Sequence, residues 1–383
     1  MEFRVDKSNW TPVKLGDVFT KREENDRENA KNKFDRFLKG GHMDSESLHI
    51  RRWGSQKNGE EINPTFYKIF RKGQILFQTR RPYLRKTVFA SFDGICGEKT
   101  LTLEPIEEFI LPQFMPFLFH SESFYAHTSG SMIGSTNPHC RWRDVANYEF
   151  LLPPKEQQVQ IASLLWAMDD VIEKELKMLN IFEIYKKANY KKIYSSSINR
   201  IKLGNSKIIN IISSGIDNFE NTKEYISTKC VENYKIIQIE ELIEYDDRPS
   251  RANMQPVPSS VWFAKMKDTM KVIKPTQREI EKNIFSTGFC GLKVNTDKVN
   301  IDYVFHYLLS DQFNAIKDSR AIGTTQLAVN NQIISTIPIP LPNLNLQNEV
   351  SIKLNRILFS IEQLKLKLSS SKSLQKSLIN QVF

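Results

Sequence analysis

Between Lys155 and Tyr194 the chain carries neither glycine nor proline. Nothing local stops a helix of about 40 residues, roughly 60 Å long at 1.5 Å per residue. Pro153 and Pro154 bar an earlier start, and Lys155-Glu156-Gln157-Gln158 supplies good helix formers behind them. Apolar residues then fall at Ile161, Leu165, Met168, Ile172, Leu176, Leu179 and Phe182, a single narrow stripe. The end of the chain repeats the arrangement. Pro338, Pro340 and Pro342 lead through Asn343 to Gln347, and Val350, Leu354, Ile357, Ile361, Leu364 and Leu368 follow in heptad steps. Two long helices with narrow seams are expected to pair with each other.

The rest of the chain is written twice as well. Val13-Lys14-Leu15-Gly16-Asp17 returns as Ile201-Lys202-Leu203-Gly204-Asn205. Phe114–Phe124 returns as Tyr303–Phe313, and Ile133-Gly134-Ser135-Thr136 as Ile322-Gly323-Thr324-Thr325. At the helix entries Gln157 matches Gln347. The offsets are 201 − 13 = 188, 303 − 114 = 189, 322 − 133 = 189 and 347 − 157 = 190. Four matches in one order at nearly one offset indicate duplication. Each copy is a globular body followed by a long helix. Short β-like runs (74–78, 87–92, 234–239, 261–266) alternate with helical stretches (114–124, 303–313), so the bodies are α+β. Residues 21–39 are highly charged and read as a solvated loop or surface helix. Residues 243–260, with Pro249, Pro256 and Pro258, read as loop.

A net charge of +10 suits a polyanionic partner but does not by itself specify one. Cys96, Cys140, Cys230 and Cys290 have no CxxC spacing and read as reduced, mostly buried thiols. No signal peptide precedes Trp10 and no apolar run is long enough to span a bilayer. A soluble, cytoplasmic protein is expected.

Signatures of catalysis are missing. An adenine methyltransferase needs an Asn/Asp-Pro-Pro-aromatic stretch and a Gly-rich cofactor turn; Asn137-Pro138-His139-Cys140 lacks the second proline and the aromatic. No phosphate-binding G-x-x-x-x-G-K-[ST] loop occurs, and the six histidines show no metal-ligand spacing. His120 reads as a surface or core histidine. Asp169-Asp170 and Glu173-Lys174-Glu175 read as a solvated helix face. No catalytic residue, metal or cofactor is expected.

Reading a duplex needs long donors in the major groove and phosphate contacts to hold the register. In the first body Gln78, Thr79, Arg80, Arg81, Tyr83, Arg85 and Lys86 cluster around Pro82. In the second, Lys265, Lys267, Lys271 and Lys274 follow an aromatic run. Ser131 and Ser135, and Thr324 and Thr325, stand beside glycines that permit close backbone approach to phosphate. Each group also fits a plain solvated loop or turn.

The chain resembles the specificity (S) subunits of type I restriction–modification systems. The likeness is carried by Val13–Phe19 and Ile201–Ile209, by 81–86 with 92–96, and by 214–217, 262–266 and 285–289. The Gly-Ser/Thr segments and the helix entry at 153–157 add to it. The second entry lacks the Glu-Gln pair of the first. The resemblance implies an α+β fold of two target-recognition domains, at 1–152 and 200–341. They are joined and spaced by long helices, 153–199 and 342–383, that form an antiparallel coiled coil with an internal pseudo-twofold repeat. It also implies a non-catalytic subunit that reads a bipartite site in double-stranded DNA. Two modification subunits, which methylate adenine, would dock on it, and restriction subunits would join the full complex. A specificity chain of another methylation or defence system, and a coiled-coil scaffold with no DNA role, are the alternatives. A self-contained methyltransferase or nuclease is disfavoured by the missing motifs.

Overall fold

A computed structural model describes residues 5–195 and 199–383. The first four residues of the domain expected over 1–152, and residues 196–198 of the helix expected over 153–199, lie outside the described residues. The chain divides into two compact units, Met1–Leu176 with Leu366–Phe383, and Lys177–Lys365.

In the first unit Thr11–Lys14 pairs antiparallel with Glu149–Leu152. An antiparallel sheet follows in the order Phe19–Lys21, Thr100–Pro105, Ile75–Gln78, Thr87–Phe89. A second sheet of short strands runs Glu24–Asn25, Lys68–Phe70, Gly94–Cys96, Arg36–Leu38, Gly54–Ser55, with its one parallel pair between Gly94–Cys96 and Arg36–Leu38. The second unit has the same plan. Arg200–Lys202 pairs with Pro338–Pro340. Its first sheet runs Ile209–Ile211, Phe289–Val294, Ser260–Ala264, Val272–Ile273. Its second runs Ala252–Met254, Asn283–Ser286, Lys223–Ile226, Glu241–Ile243, again with one parallel pair at the centre. The sheets match strand for strand except for the extra edge Glu24–Asn25 in the first unit and the small hairpin Val231–Glu232 with Lys235–Ile236 in the second. The bodies diverge in sequence while keeping one fold.

Contacts inside each unit explain why particular residues recur. A Cβ added at Gly16 would lie 2.9 Å from Ala146 Cβ, and one at Gly204 2.5 Å from Ser335 Cβ. Glycine is required because the short helices Trp142–Ala146 and Asn331–Ser335 press on those backbones. Gln158 is buried and donates Nε2 to Phe109 O and Pro153 O, while Leu111 N donates to its Oε1. Gln347 donates to Lys298 O and Pro342 O and accepts from Asn300 N. Glutamine and all three partners are displaced by 189 (347 − 158, 298 − 109, 342 − 153, 300 − 111). The counterpart of Gln347 is therefore Gln158, not Gln157. Gln157 instead accepts from Trp10 Nε1 at 2.6 Å.

The first long helix spans Lys155–Tyr194 and the C-terminal one Leu344–Val382. In the first unit Ile161, Ala162, Leu165 and Met168 share a core with Leu378, Ile379 and Val382. Gln375 reaches Leu165 O, and Ser371 reaches Glu175. In the second unit Leu179, Phe182, Tyr190 and Tyr194 pack with Val350, Leu354, Ile357 and Ile361, and Lys365 pairs with Glu183. Residue numbers rise along one helix as they fall along the other, so the pair is antiparallel. Of the remaining stripe residues, Ile172 and Leu368 are buried and Leu176 and Leu364 half-buried.

Four expectations are corrected. The stretches 114–124 and 303–313 are each two helices, Met115–Leu118 then Glu122–Gly130, and Ile301–Leu308 then Asp311–Ser319. At each break a serine caps the second helix: Ser121 Oγ accepts from Phe124 N, and Ser310 Oγ from Phe313 N, both at 3.2 Å. Residues 21–39 include the strands Glu24–Asn25 and Arg36–Leu38, with Phe37 and Leu38 buried. Within 243–260 lies the strand Ala252–Met254. The acidic residues of the first long helix are not uniformly solvated, since Asp169 and Glu175 are only 5% and 3% exposed. All four cysteines are free and buried. No described helix is long and apolar enough to cross a membrane.

Candidate nucleic-acid interface

The strand Ile75–Gln78 turns into Thr87–Phe89 through a loop closed by Gln78 N donating to Lys86 O. Pro82 starts a single 3-10 turn, Pro82–Leu84, flanked by Arg81 and Arg85 in the left-handed region (φ 52° at both). Residues with a Cβ visit that region at a cost of about 1–3 kcal/mol, so the surrounding bonds must hold them there. Leu84 N donates to Arg81 O, and Arg85 N to Pro82 O.

A second segment is laced onto this loop. Cys140 N donates to Thr79 O at 3.1 Å, and Arg81 N to Pro138 O at 2.8 Å. Ile133 and His139 exchange backbone bonds, closing a tip that carries Gly134, Ser135 and Thr136. The second unit builds the same ladder. Val329 N donates to Lys265 O at 3.1 Å and Lys267 N to Leu327 O at 2.8 Å. Ile322 and Ala328 close the tip with Gly323, Thr324 and Thr325. Segments found separately in the sequence, a basic loop and a Gly-Ser/Thr turn, therefore lie side by side in each unit. Gly323 is fixed by shape, because at φ 139° a Cβ would sit 2.4 Å from Gln326 O.

The candidate residues divide by what their side chains do. Arg80, Arg81, Tyr83, Ser135, Lys267, Thr324 and Thr325 are exposed. Among the described residues Arg80, Arg81 and Lys267 make no ion pair, leaving three cations presented to solvent. Gln78 accepts from Thr100 Oγ1 and Lys86 Nζ donates to Gly40 O. Thr79 is buried with its hydroxyl on Lys99 O, and Ser131 donates to His127 O. Arg85 grips both oxygens of Glu122 and also Glu46, at 2.6 Å. Lys376 joins them, 2.7 Å from Glu122. Together Arg85 and Lys376 hold the Glu122 carboxyl down at about 2. Lys271 donates to Thr228 O, and Lys274 pairs with Asp302. Lys265 is half-buried, which lowers its pKa.

Two supports escaped the sequence reading. Buried Lys317 donates to Met266 O at 2.8 Å and Thr269 O at 2.7 Å, stapling the loop that carries Lys267. In the first unit an open groove of about 380 Å³ shares Thr79 and His139 with the ladder. Lys21, Arg27, Lys99 and Arg141 line it beside Tyr67 and Trp142. A lysine amid apolar helix positions and a groove drawn from five segments leave no local pattern to find.

Residues 7–181 match the sequence profile of the type I restriction modification DNA specificity domain. Over 136 residues the chain is 27% identical to the type I restriction enzyme EcoDI specificity subunit of Escherichia coli. That match takes in 33% of this chain and 30% of the relative, so it spans under a third of the relative's length. The type I restriction–modification S subunit from M. genitalium is similar in fold, with TM-score 0.60 at 16% identity, covering 100% of this chain and 98% of that one. A chain solved in work on complex assembly and conformational transition of the type I R-M system gives TM-score 0.57 at 18% identity, covering 98% and 97%.

Proposed function

We propose, from the match of residues 7–181 to the type I restriction modification DNA specificity domain, that this chain belongs to that family and reads a bipartite site in double-stranded DNA. The bodies at 1–152 and 200–341 are the two target-recognition domains, and the helices at 153–199 and 342–383 are the spacers. One observation carries the reading. Each unit builds the same backbone ladder, and beside an exposed Gly-Ser/Thr tip the first presents two cations and the second one that make no ion pair among the described residues. Such an arrangement supplies phosphate contacts from the tip and long donors from the loop. Arg80, Arg81 and Tyr83 act in the first half, and Lys267, Thr324 and Thr325 in the second. Thr79, Arg85, Lys86, Ser131 and Lys271 hold the loops in place. Gln78 and Lys265 stand at the strand ends from which the readers project.

The chain contributes no reacting group, and methyl transfer belongs to modification subunits docked on the long helices. Apolar side chains facing solvent there support docking: Val159, Leu164, Val171 and Leu374 in the first unit, and Ile181, Ile184, Ile352 and Phe359 in the second. Restriction subunits complete the assembly, which works in the cytoplasm. Mapping methylated adenines in DNA from cells with and without this gene tests the reading. Loss of methylation at two short motifs held at one fixed separation is expected. Unchanged methylation, or loss at a single continuous motif, overturns it.

A further inference from the structure

The first unit contains a second cavity, of about 540 Å³, away from the ladder. Its walls are the segment 44–51, the first long helix at Asp169–Leu176, and the C-terminal helix at Ser369–Ile379. Asp169 and Glu173 sit one helical turn apart and so share a face, and His49 reaches them from the loop. His49 Nε2 lies 2.7 Å from Asp169 Oδ2 and 3.9 Å from Glu173 Oε1. One donor atom from each of the three falls within 4.8 Å of the others.

We propose that His49, Asp169 and Glu173 form a binding site for a zinc-class divalent cation that clips the 44–51 loop to the first long helix. A tetrahedral zinc ion with bonds of about 2.0–2.2 Å sets its ligand atoms about 3.4 Å apart. The two distances from His49 Nε2 bracket that value. Imidazole with two carboxylates suits zinc and its first-row neighbours rather than magnesium or calcium, which favour all-oxygen shells.

A second observation points to the same place. His120 lines this cavity, and its Nε2 is sealed from solvent without a hydrogen-bond partner. Buried imidazole nitrogens are ordinarily satisfied. Charge balances on loading. Asp169 and Glu173 now face His49, whose pKa Asp169 raises, and Arg51, which bonds Glu173. The incoming dication balances the two carboxylates and displaces the guanidinium of Arg51, which swings into solvent. Lys372 and Lys376 also line the cavity, and Lys376 is engaged by Glu46 and Glu122.

The clip is independent of the DNA reading and its test contains no DNA. The full chain, stripped with a chelator, is titrated with Zn²⁺ against a chromophoric chelator, with Co²⁺ absorption reporting tetrahedral ligation. One equivalent bound per chain and a raised Tm are expected. Asp169→Asn and His49→Gln should each weaken binding by more than the roughly 10–100-fold that a supporting residue costs. His139→Gln should leave it unchanged. Should Asp169→Asn fail to fold, Glu173→Gln, altering a side chain about a third exposed, takes its place. Substoichiometric binding, binding unaffected by these ligand substitutions, or Mg²⁺ binding as tightly as Zn²⁺ would overturn the assignment.

Discussion

Replacing Arg80 and Arg81 together with glutamine separates cations that face solvent from those that build the loop. Both are exposed, and neither meets a carboxylate among the described residues. Arg85, four residues further on, is held by Glu122 and Glu46. If the two exposed arginines contact phosphates, their loss removes two counterions from the release on binding. The slope of log K against log salt then becomes less steep by about 2 × 0.9, or roughly 1.8. Between 50 and 200 mM salt, log 4 is about 0.6, so the variant should lose about tenfold less affinity than the parent over that range. Arg85→Gln should leave the slope unchanged, because its charge is already spent on Glu122. It should instead lower the unfolding midpoint, since Glu122 keeps only Lys376. Fluorescence anisotropy on a cognate duplex, with the chain assembled on its modification subunits, measures the slopes. Equal slopes for the parent and the double variant, or a shallower slope for Arg85→Gln, would refute the division.

His306 gives a pH dependence. Its ring is buried, bonded to Tyr190 OH and Asn355 Oδ1, and burial lowers its pKa to about 4. The folded state thus holds fewer protons than the unfolded one between about pH 6.5 and 4. The stability from this group is complete above pH 6.5 and is lost as pH falls, by about 3 kcal/mol at most. Urea midpoints at pH 7 and 5 should differ less for His306→Gln than for the parent. Leu165→Ala, at a fully buried seam position, should cost about 2–5 kcal/mol, while Val171→Ala, 43% exposed on the same helix, should stay within about 0.5 kcal/mol by chemical denaturation. Gly323→Ala forces a Cβ against Gln326 O at a positive φ. It should weaken recognition of one half-site only, visible as methylation loss biased to duplexes that depend on that half.

What was legible in the sequence is what repeats at short range. The seams of both helices could be read because helical periodicity places Leu165 or Leu354 on a face within a few residues. The offset near 189 could be read because the recurring residues meet the frame itself: Gly16 and Gly204 sit under a helix, and Gln158 and Gln347 bridge three backbone groups. The error of one position at Gln157 arose because adjacent glutamines are alike in sequence and differ only in which way they point. Asp169 read as solvated because its partner, His49, lies 120 residues away. The ion network around Arg85 is hidden for the same reason, since Glu122 reaches Arg85, and Lys376 reaches Glu122, from distant segments. Charge in a loop is visible in sequence; whether that charge is already neutralised is not.

If the ladders carry the readers, as proposed, such a frame can change what it reads without changing its fold. Their bonds run between backbone groups, Cys140 N to Thr79 O in one unit and Val329 N to Lys265 O in the other. Backbone bonds of this kind place no demand on the side chains they carry, apart from glycine where shape requires it. Threonine and arginine on the first ladder are therefore replaced by two lysines on the second with the register intact. The staples differ as well: an ion network through Arg85 in one unit, a buried lysine donating to carbonyls in the other. Since position is set by the backbone and chemistry by the side chain, exchanging residues at 80, 81 and 83, or at 267, should alter the sequence preference of one half while the other half and the fold persist.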